Sequence, residues 1–336
     1  MKKNIRIRGH YGLTLVELML ALALSLMILG GAISVFMGSK ESFRMEEEVS
    51  VLQENYRFIA DRLTKELSLV GYSGCAFSYQ DNTPNIFSTI TDSPVQVIQG
   101  IEGGADPDSL TITFALPETG IPVLDIQTAV CETCDIPVSK ELPLFIALAD
   151  NFTSGSPVPV RLLVSNCREA DYFLVTGTHE EDFDLDGDGS PDITGGMIEH
   201  DVGPEVGGIE NLVPLTEVYG RATEEAALVY EMMTVTYEID DVAVGGSRGL
   251  YEQRNGGARQ LIFENVTDFQ VLYGIDSATS EDGNADMYVD WDNALRPSDI
   301  TSLRINLTML LGQQAGTDIT REYSFTVKLR NMGLDT

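Results

Sequence analysis

The sequence predicts an α+β protein in which one long N-terminal helix is followed by a large head of mainly antiparallel β-strands. Three observations in the 336 residues support this prediction. An apolar run covers residues 13–39, a helical repeat of apolar residues continues to residue 70, and short alternating segments follow from residue 72. No regular alternation of strands and helices is visible, so we expect the helix to pack on a head built of sheet.

The apolar run 13–39 predicts a membrane anchor. It contains a single ionisable side chain, Glu17, in 27 residues. At about 1.5 Å per residue it forms a helix of about 40 Å, longer than the hydrocarbon core of about 30 Å. Residues 1–12 carry four basic side chains and no acid, which predicts a cytoplasmic N-terminus and a head outside the membrane. A secretory signal would be shorter and would end in a small-residue cleavage site.

Glu17 is unusual in such a helix, because a carboxylate near the bilayer centre costs roughly 2.5–3.5 kcal/mol. Residues 12–17, Gly-Leu-Thr-Leu-Val-Glu, resemble the type IV prepilin cleavage motif, although the family more often has Phe at the position of Leu13. The resemblance implies that a prepilin peptidase removes residues 1–12 by cutting after Gly12, and that it methylates Leu13. It also implies that Glu17 pairs with the free amine of a neighbouring subunit in a filament.

Residues 40–71 are predicted to continue the helix as an amphipathic segment. Its apolar residues follow one another at steps of three or four and define one helical face. They are Met45, Val49, Leu52, Tyr56, Ile59, Leu63, Leu67 and Val70. Gly71 provides a natural C-terminal stop. We expect this face to hold the head by core packing.

Residues 72–336 form the predicted head, in which short β-type segments are separated by Gly, Pro, Asn and Asp. Several of these segments alternate apolar and polar residues, as expected for an antiparallel sheet with one face in water. The predicted strands are Leu110–Ala115, Val158–Ser165, Tyr172–Thr176, Leu228–Ile239, Arg259–Phe263, Val266–Tyr273, Ile300–Leu311 and Arg321–Leu329.

Five segments resemble the PilW family of minor pilins, and they occur in the family's order. They are Leu-Gln-Glu-Asn-Tyr-Arg-Phe at 52–58, Gly-Tyr-Ser-Gly-Cys at 71–75, Ser-Asn-Cys-Arg-Glu-Ala-Asp at 165–171, and the segments 269–274 and 327–332. The resemblance implies a protein that joins other minor pilins in the complex that primes type IV pilus assembly and sits at the tip. The alternative is a J-type minor pseudopilin of a type II secretion system, whose head is usually shorter.

The resemblance also implies where such a protein lies and what it contacts. Its implied partners are the other minor pilins and the major pilin through the N-terminal helix, the prepilin peptidase, the inner-membrane assembly platform and a tip adhesin. The protein would lie in the inner membrane with its head in the periplasm, and then in the pilus fibre at the cell surface. The implied processes are twitching motility and cell adhesion.

All four cysteines follow the anchor and are therefore predicted to face an oxidising compartment. An even number predicts two disulfides with three possible pairings, of which we favour Cys75–Cys167 with Cys131–Cys134. The first would close a loop of about 90 residues and stabilise the fold by about 4–5 kcal/mol. The alternatives are a zinc site of Cys131, Cys134, Cys167 and His179 and a redox role for the Cys-x-x-Cys pair.

An acidic segment has the spacing of a calcium loop. Asp184, Asp186, Asp188 and Asp192 occupy relative positions 1, 3, 5 and 9, and Gly189 occupies position 6, where such loops turn sharply. A glycine replaces the usual bidentate acid at position 12, and Glu180, Asp182 and Glu199 are the candidates to substitute for it. We expect weak calcium binding here, with a Kd of about 10⁻⁴–10⁻³ M; the alternative is a solvated acidic turn.

The net charge argues against several classes of function. The chain has 52 acidic and 21 basic residues, a net charge of −31, and after the first eight residues 17 basic residues remain, which leaves −35. Such a chain is unsuited to phosphate backbones and anionic lipid surfaces, so we expect no nucleic-acid partner. His179 and His200, both expected at the surface, are the only histidines after the leader, and no nucleophile elbow is present. We therefore expect a non-enzyme.

Overall fold

The computed structural model describes residues 14–74, 79–80, 83–84, 86–124, 135–166, 169–184, 189–216, 219, 226–240, 248–276, 283–292, 295–314 and 317–332. Within these ranges the chain forms two α-helices, two short 3-10 helices and nineteen strands. The helices are α1 (Leu15–Leu67), α2 (Pro143–Thr153) and the 3-10 turns Pro117–Thr119 and Pro297–Asp299.

The strands follow one another in a long series that begins after α1. They are β1 (Tyr79–Gln80), β2 (Thr83–Pro84), β3 (Ile86–Ser88), β4 (Ser93–Pro94), β5 (Ile98–Ile101), β6 (Ser109–Ala115), β7 (Ile121–Pro122), β8 (Ile136–Val138), β9 (Arg161–Ser165), β10 (Ala170–Leu174), β11 (Gly177–Phe183), β12 (Ile193–Glu199), β13 (Leu228–Asp240), β14 (Gly249–Arg254), β15 (Arg259–Glu264), β16 (Val266–Ile275), β17 (Met287–Val289), β18 (Ile300–Gln314) and β19 (Thr317–Lys328). One long helix and a strand-rich head confirm the predicted α+β class.

Helix α1 is continuous over 53 residues and crosses the predicted boundary at residue 40 without a break. It ends at Leu67, four residues before the predicted stop, and turns lead to Gly71, which has a left-handed φ of 72°. The side chain of Asn331 donates to the carbonyl oxygens of Ser68 and Val70 at 3.1 and 3.4 Å. The chain divides into two compact units within α1, between Asn55 and Tyr56.

The largest sheet of the head has ten strands and is organised around β13. Its order is β15-β14-β13-β9-β10-β3-β4, and β5, β6 and β7 join it beside this path. The first part of β13 pairs with β9 and β7, and the second part pairs with β14 and β6. A single strand of 13 residues thereby connects two groups of strands. The pairing is antiparallel throughout this sheet except between β3 and β10.

Three smaller antiparallel sheets complete the described part of the head: a four-stranded sheet in the order β17-β16-β18-β19, a three-stranded sheet in the order β11-β12-β8 and the β1–β2 pair. Every predicted strand overlaps an observed one. In β19 the predicted alternation is confirmed, since Tyr323 and Phe325 are half-buried and Val327 is buried, whereas the polar residues between them are exposed.

Helix α2 was not predicted, and it covers one of the hydrophobic clusters of the head. It begins with Pro143 at its first turn and buries Phe145 and Leu148. These side chains belong to a cluster contributed by strands β7, β8, β9, β10, β12 and β13. The sequence of α2 is a short apolar run, and periodicity alone does not separate such a run from a buried strand.

The side-chain amide of Asn211 is buried and bonds the part of the chain that carries His200. Asn211 is 1% exposed; its side chain donates to the carbonyl oxygens of Leu174 and His200 and accepts a hydrogen bond from the Thr89 hydroxyl at 2.8 Å. The prediction that His200 lies at the surface is wrong. Its ring is 4% exposed and lies edge-on to Phe173, with ring centroids 5.7 Å apart, because the loop that carries Asn211 returns over this part of the chain.

Candidate functional site

The first half of α1 presents apolar side chains on every face. Between Leu15 and Met37 each large apolar side chain is at least 51% exposed. Among the described residues, α1 is the one helix long and apolar enough to cross a membrane. Since a helix that is apolar all round is not stable in water, this segment requires cover from a bilayer or from other helices.

Glu17 has a partner within its own chain. The Thr14 backbone amide and hydroxyl both donate to Oε2 of Glu17, at 3.2 and 3.1 Å, and the Glu17 amide donates to the Thr14 hydroxyl at 3.3 Å. These reciprocal bonds form a capping box, which satisfies amides that the first turn of a helix leaves free. Gly12 and Leu13, the predicted processing residues, lie outside the described residues.

The second half of α1 has the opposite surroundings. From Tyr56 onward the predicted apolar face is buried, and Ile59, Leu63 and Leu67 are at most 1% exposed. The Tyr56 ring stacks on that of Tyr323 with centroids 4.4 Å apart, and its hydroxyl donates to a carbonyl oxygen of β19 at 3.0 Å. Burial is the main cause that raises the pKa of Tyr56, and the neighbouring Tyr323 raises it further. The prediction that this face packs on the head is confirmed for residues 56–67.

A charged network fixes the end of α1 to β13 and β14. Arg62 lies 2.6 Å from Oε2 of Glu252, whose side chain is only 5% exposed, and Arg254 lies 2.7 Å from Oε1 of Glu66. The Tyr237 hydroxyl donates to Glu66. Burial and the Glu66 carboxylate raise the pKa of Tyr237, and the hydrogen bond to Glu252 raises that of Arg254. Each buried charge therefore has a partner of opposite sign.

Three side chains of types that bind metal ions lie close together on the three-stranded sheet. Asp135 precedes β8, His179 belongs to β11 and Glu199 ends β12. Nδ1 of His179 lies 2.9 Å from Oε1 of Glu199 and 3.9 Å from Oδ2 of Asp135. One ligand atom from each of the three residues lies within 4.8 Å of the others, a spacing that suits one metal ion. We call this group the Asp135–His179–Glu199 cluster.

Burial and mutual repulsion shape the electrostatics of the cluster. Burial first, and then the charge of Glu199, raise the pKa of Asp135 to about 6. The carboxylate of Glu199 lies against Gly177, where a Cβ atom would overlap it. A larger residue at position 177 would therefore displace the Glu199 carboxylate from its present position beside His179.

The predicted calcium loop is the connection of the β11–β12 hairpin. Phe183 pairs with Ile193, so residues 184–192 join the two strands. One carboxylate oxygen of Asp184 accepts a hydrogen bond from the Gly189 amide at 2.7 Å, and Gly189 has a left-handed φ of 87°. Asp186 and Asp188 lie outside the described residues, and so do all four cysteines. Calcium binding and the disulfides therefore stay predictions.

The sequence analysis considered His179 as a ligand only together with the cysteines and Glu199 only for the calcium loop, and it did not connect either residue with Asp135. Asp135 lies 44 positions before His179 and Glu199 lies 20 positions after it, and no local motif connects them. Strand register brings them together: the terminal pair of β12 and β8 is Ile198 with Ile136, one position from Glu199 and Asp135. Register is set by tertiary packing, which is why no spacing rule could have found this group.

Residues 225–332 match the family model described as Type IV Pilus-assembly protein W, or PilW. The matched segment includes β13, which organises the large sheet, and all of the four-stranded sheet. Two of the five segments that resemble PilW in the sequence, 269–274 and 327–332, fall inside it. Neither the search of curated proteins nor that of solved structures found a match. Over the carboxy-terminal third of its sequence, the chain is therefore similar to the PilW family of type IV pilus-assembly proteins.

Proposed function

We propose that the protein is a minor pilin that takes part in the complex priming type IV pilus assembly and that lies at the pilus tip. The PilW match over residues 225–332 carries this proposal. The uncovered apolar half of α1 supports it, because a bundle of such helices or a bilayer supplies the cover that this segment lacks. No catalytic step is part of the proposal.

In this proposal the protein is made as a prepilin, cut after Gly12 and methylated on Leu13. It is held in the inner membrane with its head in the periplasm, and it then enters the pilus fibre. Its N-terminal helix packs on other minor pilins and on the major pilin, with the assembly platform and a tip adhesin as further partners. Detection of residues 1–12 on the protein recovered from pili would contradict this sequence of events.

Glu17 would serve twice, first as a cap and then as a charged partner. The capping contacts in the single chain use one carboxylate oxygen, Oε2. Pairing with a neighbour's amine through the other oxygen, Oε1, is compatible with them. The charge would then be neutralised inside the filament, where an unpaired carboxylate is costly.

Two variants separate these roles of Glu17 in a strain that lacks the chromosomal gene. Glu17→Gln keeps a side chain that can complete a capping box and removes the charge, whereas Thr14→Ala removes the cap and keeps the charge. We expect Glu17→Gln to abolish piliation and twitching and Thr14→Ala to retain most of both, at equal protein levels. Full piliation with Glu17→Gln would contradict the charge pairing.

The same strain separates a pilus from a secretion system. We expect the deletion to remove surface pili and twitching and to leave the export of secreted proteins intact. Loss of export with normal piliation would contradict the proposal and point to the J-type pseudopilin.

Two features of the head complete the proposal, disulfides and a calcium ion. We propose disulfides Cys75–Cys167 and Cys131–Cys134, and calcium bound by Asp184, Asp186, Asp188 and Asp192. Non-reducing peptide mapping tests the pairing, and any peptide pair other than these two would contradict it.

A further inference from the structure

We propose that the Asp135–His179–Glu199 cluster binds one divalent transition-metal ion of the zinc type. Three protein ligands from three neighbouring strands would hold the ion on the surface of the three-stranded sheet. The proposal does not depend on the pilus role of the protein, so each can fail without the other.

The spacing of the ligand atoms matches a tetrahedral ion. Zinc binds nitrogen and carboxylate oxygen at about 2.0–2.2 Å, which places two ligands of a tetrahedron about 3.3–3.6 Å apart. The Nδ1 atom of His179 lies 2.9 Å from the Glu199 oxygen and 3.9 Å from the Asp135 oxygen. These two distances bracket the tetrahedral value, and the Asp135 and Glu199 oxygens lie within 4.8 Å of each other, so side-chain shifts of about 1 Å would complete the coordination.

The chemistry of the ligands selects the class of metal. An imidazole nitrogen suits zinc and other late transition metals, whereas calcium and magnesium prefer sites built of oxygen alone. Two carboxylates balance the charge of a divalent ion. The bound ion would also remove the repulsion between Asp135 and Glu199. Three protein ligands leave one position of a tetrahedron open, and because the His179 side chain is 44% exposed, water can reach it.

The local structure keeps these ligands together without the ion. His179 and Glu199 lie on neighbouring strands, where Gly177 pairs with Glu199 and His179 pairs with Met197. Asp135 directly precedes β8, which pairs with the other edge of β12. Gly177 provides the space that the Glu199 carboxylate occupies. A metal here would tie all three strands of the sheet to one another.

The proposed site is distinct from the predicted calcium loop. The loop joins the ends of β11 and β12 at the Phe183–Ile193 pair, whereas Gly177 and Glu199 form the pair at the opposite end of the same hairpin. Phe183 lies four positions after His179, which corresponds to about 13 Å along a strand. The two ions would therefore be bound by different residues and would prefer different metals.

The test measures zinc binding to the full chain in detergent, purified without a polyhistidine tag and stripped with a chelator. Zinc retained after equilibrium dialysis is quantified by mass spectrometry, for the wild type and for His179→Gln and Glu199→Gln. The matched control is Glu180→Gln, which removes a neighbouring exposed carboxylate that pairs with Lys140 at 2.7 Å. Circular dichroism verifies that each variant is folded, and blocking of free thiols keeps the cysteines from binding the metal.

We expect about one zinc ion per chain in the wild type and in Glu180→Gln, and affinity weaker by at least about tenfold in each ligand variant. Bound Co²⁺ should show no thiolate charge-transfer band, because all three ligands are nitrogen or oxygen. Equal zinc affinity in the wild type, His179→Gln and Glu199→Gln would overturn the proposal. So would a wild-type chain that retains no zinc.

Discussion

The two halves of α1 share one backbone conformation and have opposite surroundings. Large apolar side chains between Leu15 and Met37 are at least 51% exposed, whereas Ile59, Leu63 and Leu67 are at most 1% exposed. The first half is apolar on every face; in the second half the apolar residues form one stripe and charged residues occupy the rest.

The difference shows which half of the helix the chain completes by itself. The chain's own strands cover the stripe of the second half, so that half contributes to the stability of the head. No described part of the chain covers the first half, so its apolar surface is available to a bilayer or to other helices. Substitutions should therefore separate cleanly into those that unfold the head and those that affect assembly only.

The largest effect is expected from Leu63→Ala. Leu63 is 1% exposed, and removal of a buried leucine side chain costs about 2–5 kcal/mol, because a cavity adds to the lost hydrophobic transfer. The matched control is Leu22→Ala in the exposed half, which should leave the free energy of unfolding of the head unchanged. Urea unfolding of the full chain in detergent, followed by the fluorescence of its single tryptophan, Trp291, measures both variants.

Equal unfolding free energies for Leu63→Ala and Leu22→Ala would break the comparison, because they would mean that both halves are covered alike. A loss of unfolding free energy confined to Leu22→Ala would reverse the comparison. Either result would remove the reason for assigning assembly to the first half alone.

The charged network should give the next largest effect. Glu252→Ala removes the carboxylate closest to Arg62, at 2.6 Å, and a second carboxylate from Arg254, at 3.2 Å, which keeps Glu66 at 2.7 Å. Hydrogen bonds to charged groups contribute about 1.5–3 kcal/mol, and both arginines are about one-third exposed, so we expect the lower part of this range because water screens them. Glu264→Ala, an exposed acid of the neighbouring strand β15, is the control. If Glu252→Ala lowers the free energy of unfolding no more than Glu264→Ala does, the charged network adds little to stability.

Calcium should stabilise the head by a smaller amount. A single ion at ten times its Kd adds about 1.4 kcal/mol to the free energy of unfolding. We expect calcium at millimolar concentration to raise the Tm of the full chain, and the double variant Asp186→Asn with Asp188→Asn to remove this increase. Magnesium serves as the control ion, since it demands a stricter octahedral geometry. A Tm that does not change across millimolar calcium would contradict a calcium loop.

The smallest effect should come from Thr14→Ala at the start of the exposed half. Loss of an N-cap hydroxyl typically costs about 1 kcal/mol of helix stability, and the loss should stay within the first turn. Hydrogen exchange of the Glu17 amide, which donates to the Thr14 hydroxyl, should become faster by roughly fivefold, as about 1 kcal/mol implies. Ser25→Ala, which removes a hydroxyl bonded to the Leu22 carbonyl within the helix, should leave that amide unchanged.

Regions with strong periodicity were predicted well. Strands β6, β13, β16, β18 and β19 lie where alternation placed them, and the helix ends within four residues of its predicted stop. Helix α2 was missed because its apolar run is short and gives the same signal as a buried strand. The exposure of His200 was also misjudged, because its ring meets Phe173 of β10, and its carbonyl oxygen meets Asn211, only after the chain has folded.

The sequence by itself determined the helix, the single acid in its apolar half and the strand-rich head, because each of these depends on residues that are neighbours along the chain. The tertiary structure decided which half of α1 is covered and gave Glu66 and Glu252 their partners. It also brought Asp135, His179 and Glu199 within one coordination sphere of each other. Contacts of this kind arise from strand register and from packing between distant segments, which local patterns do not encode.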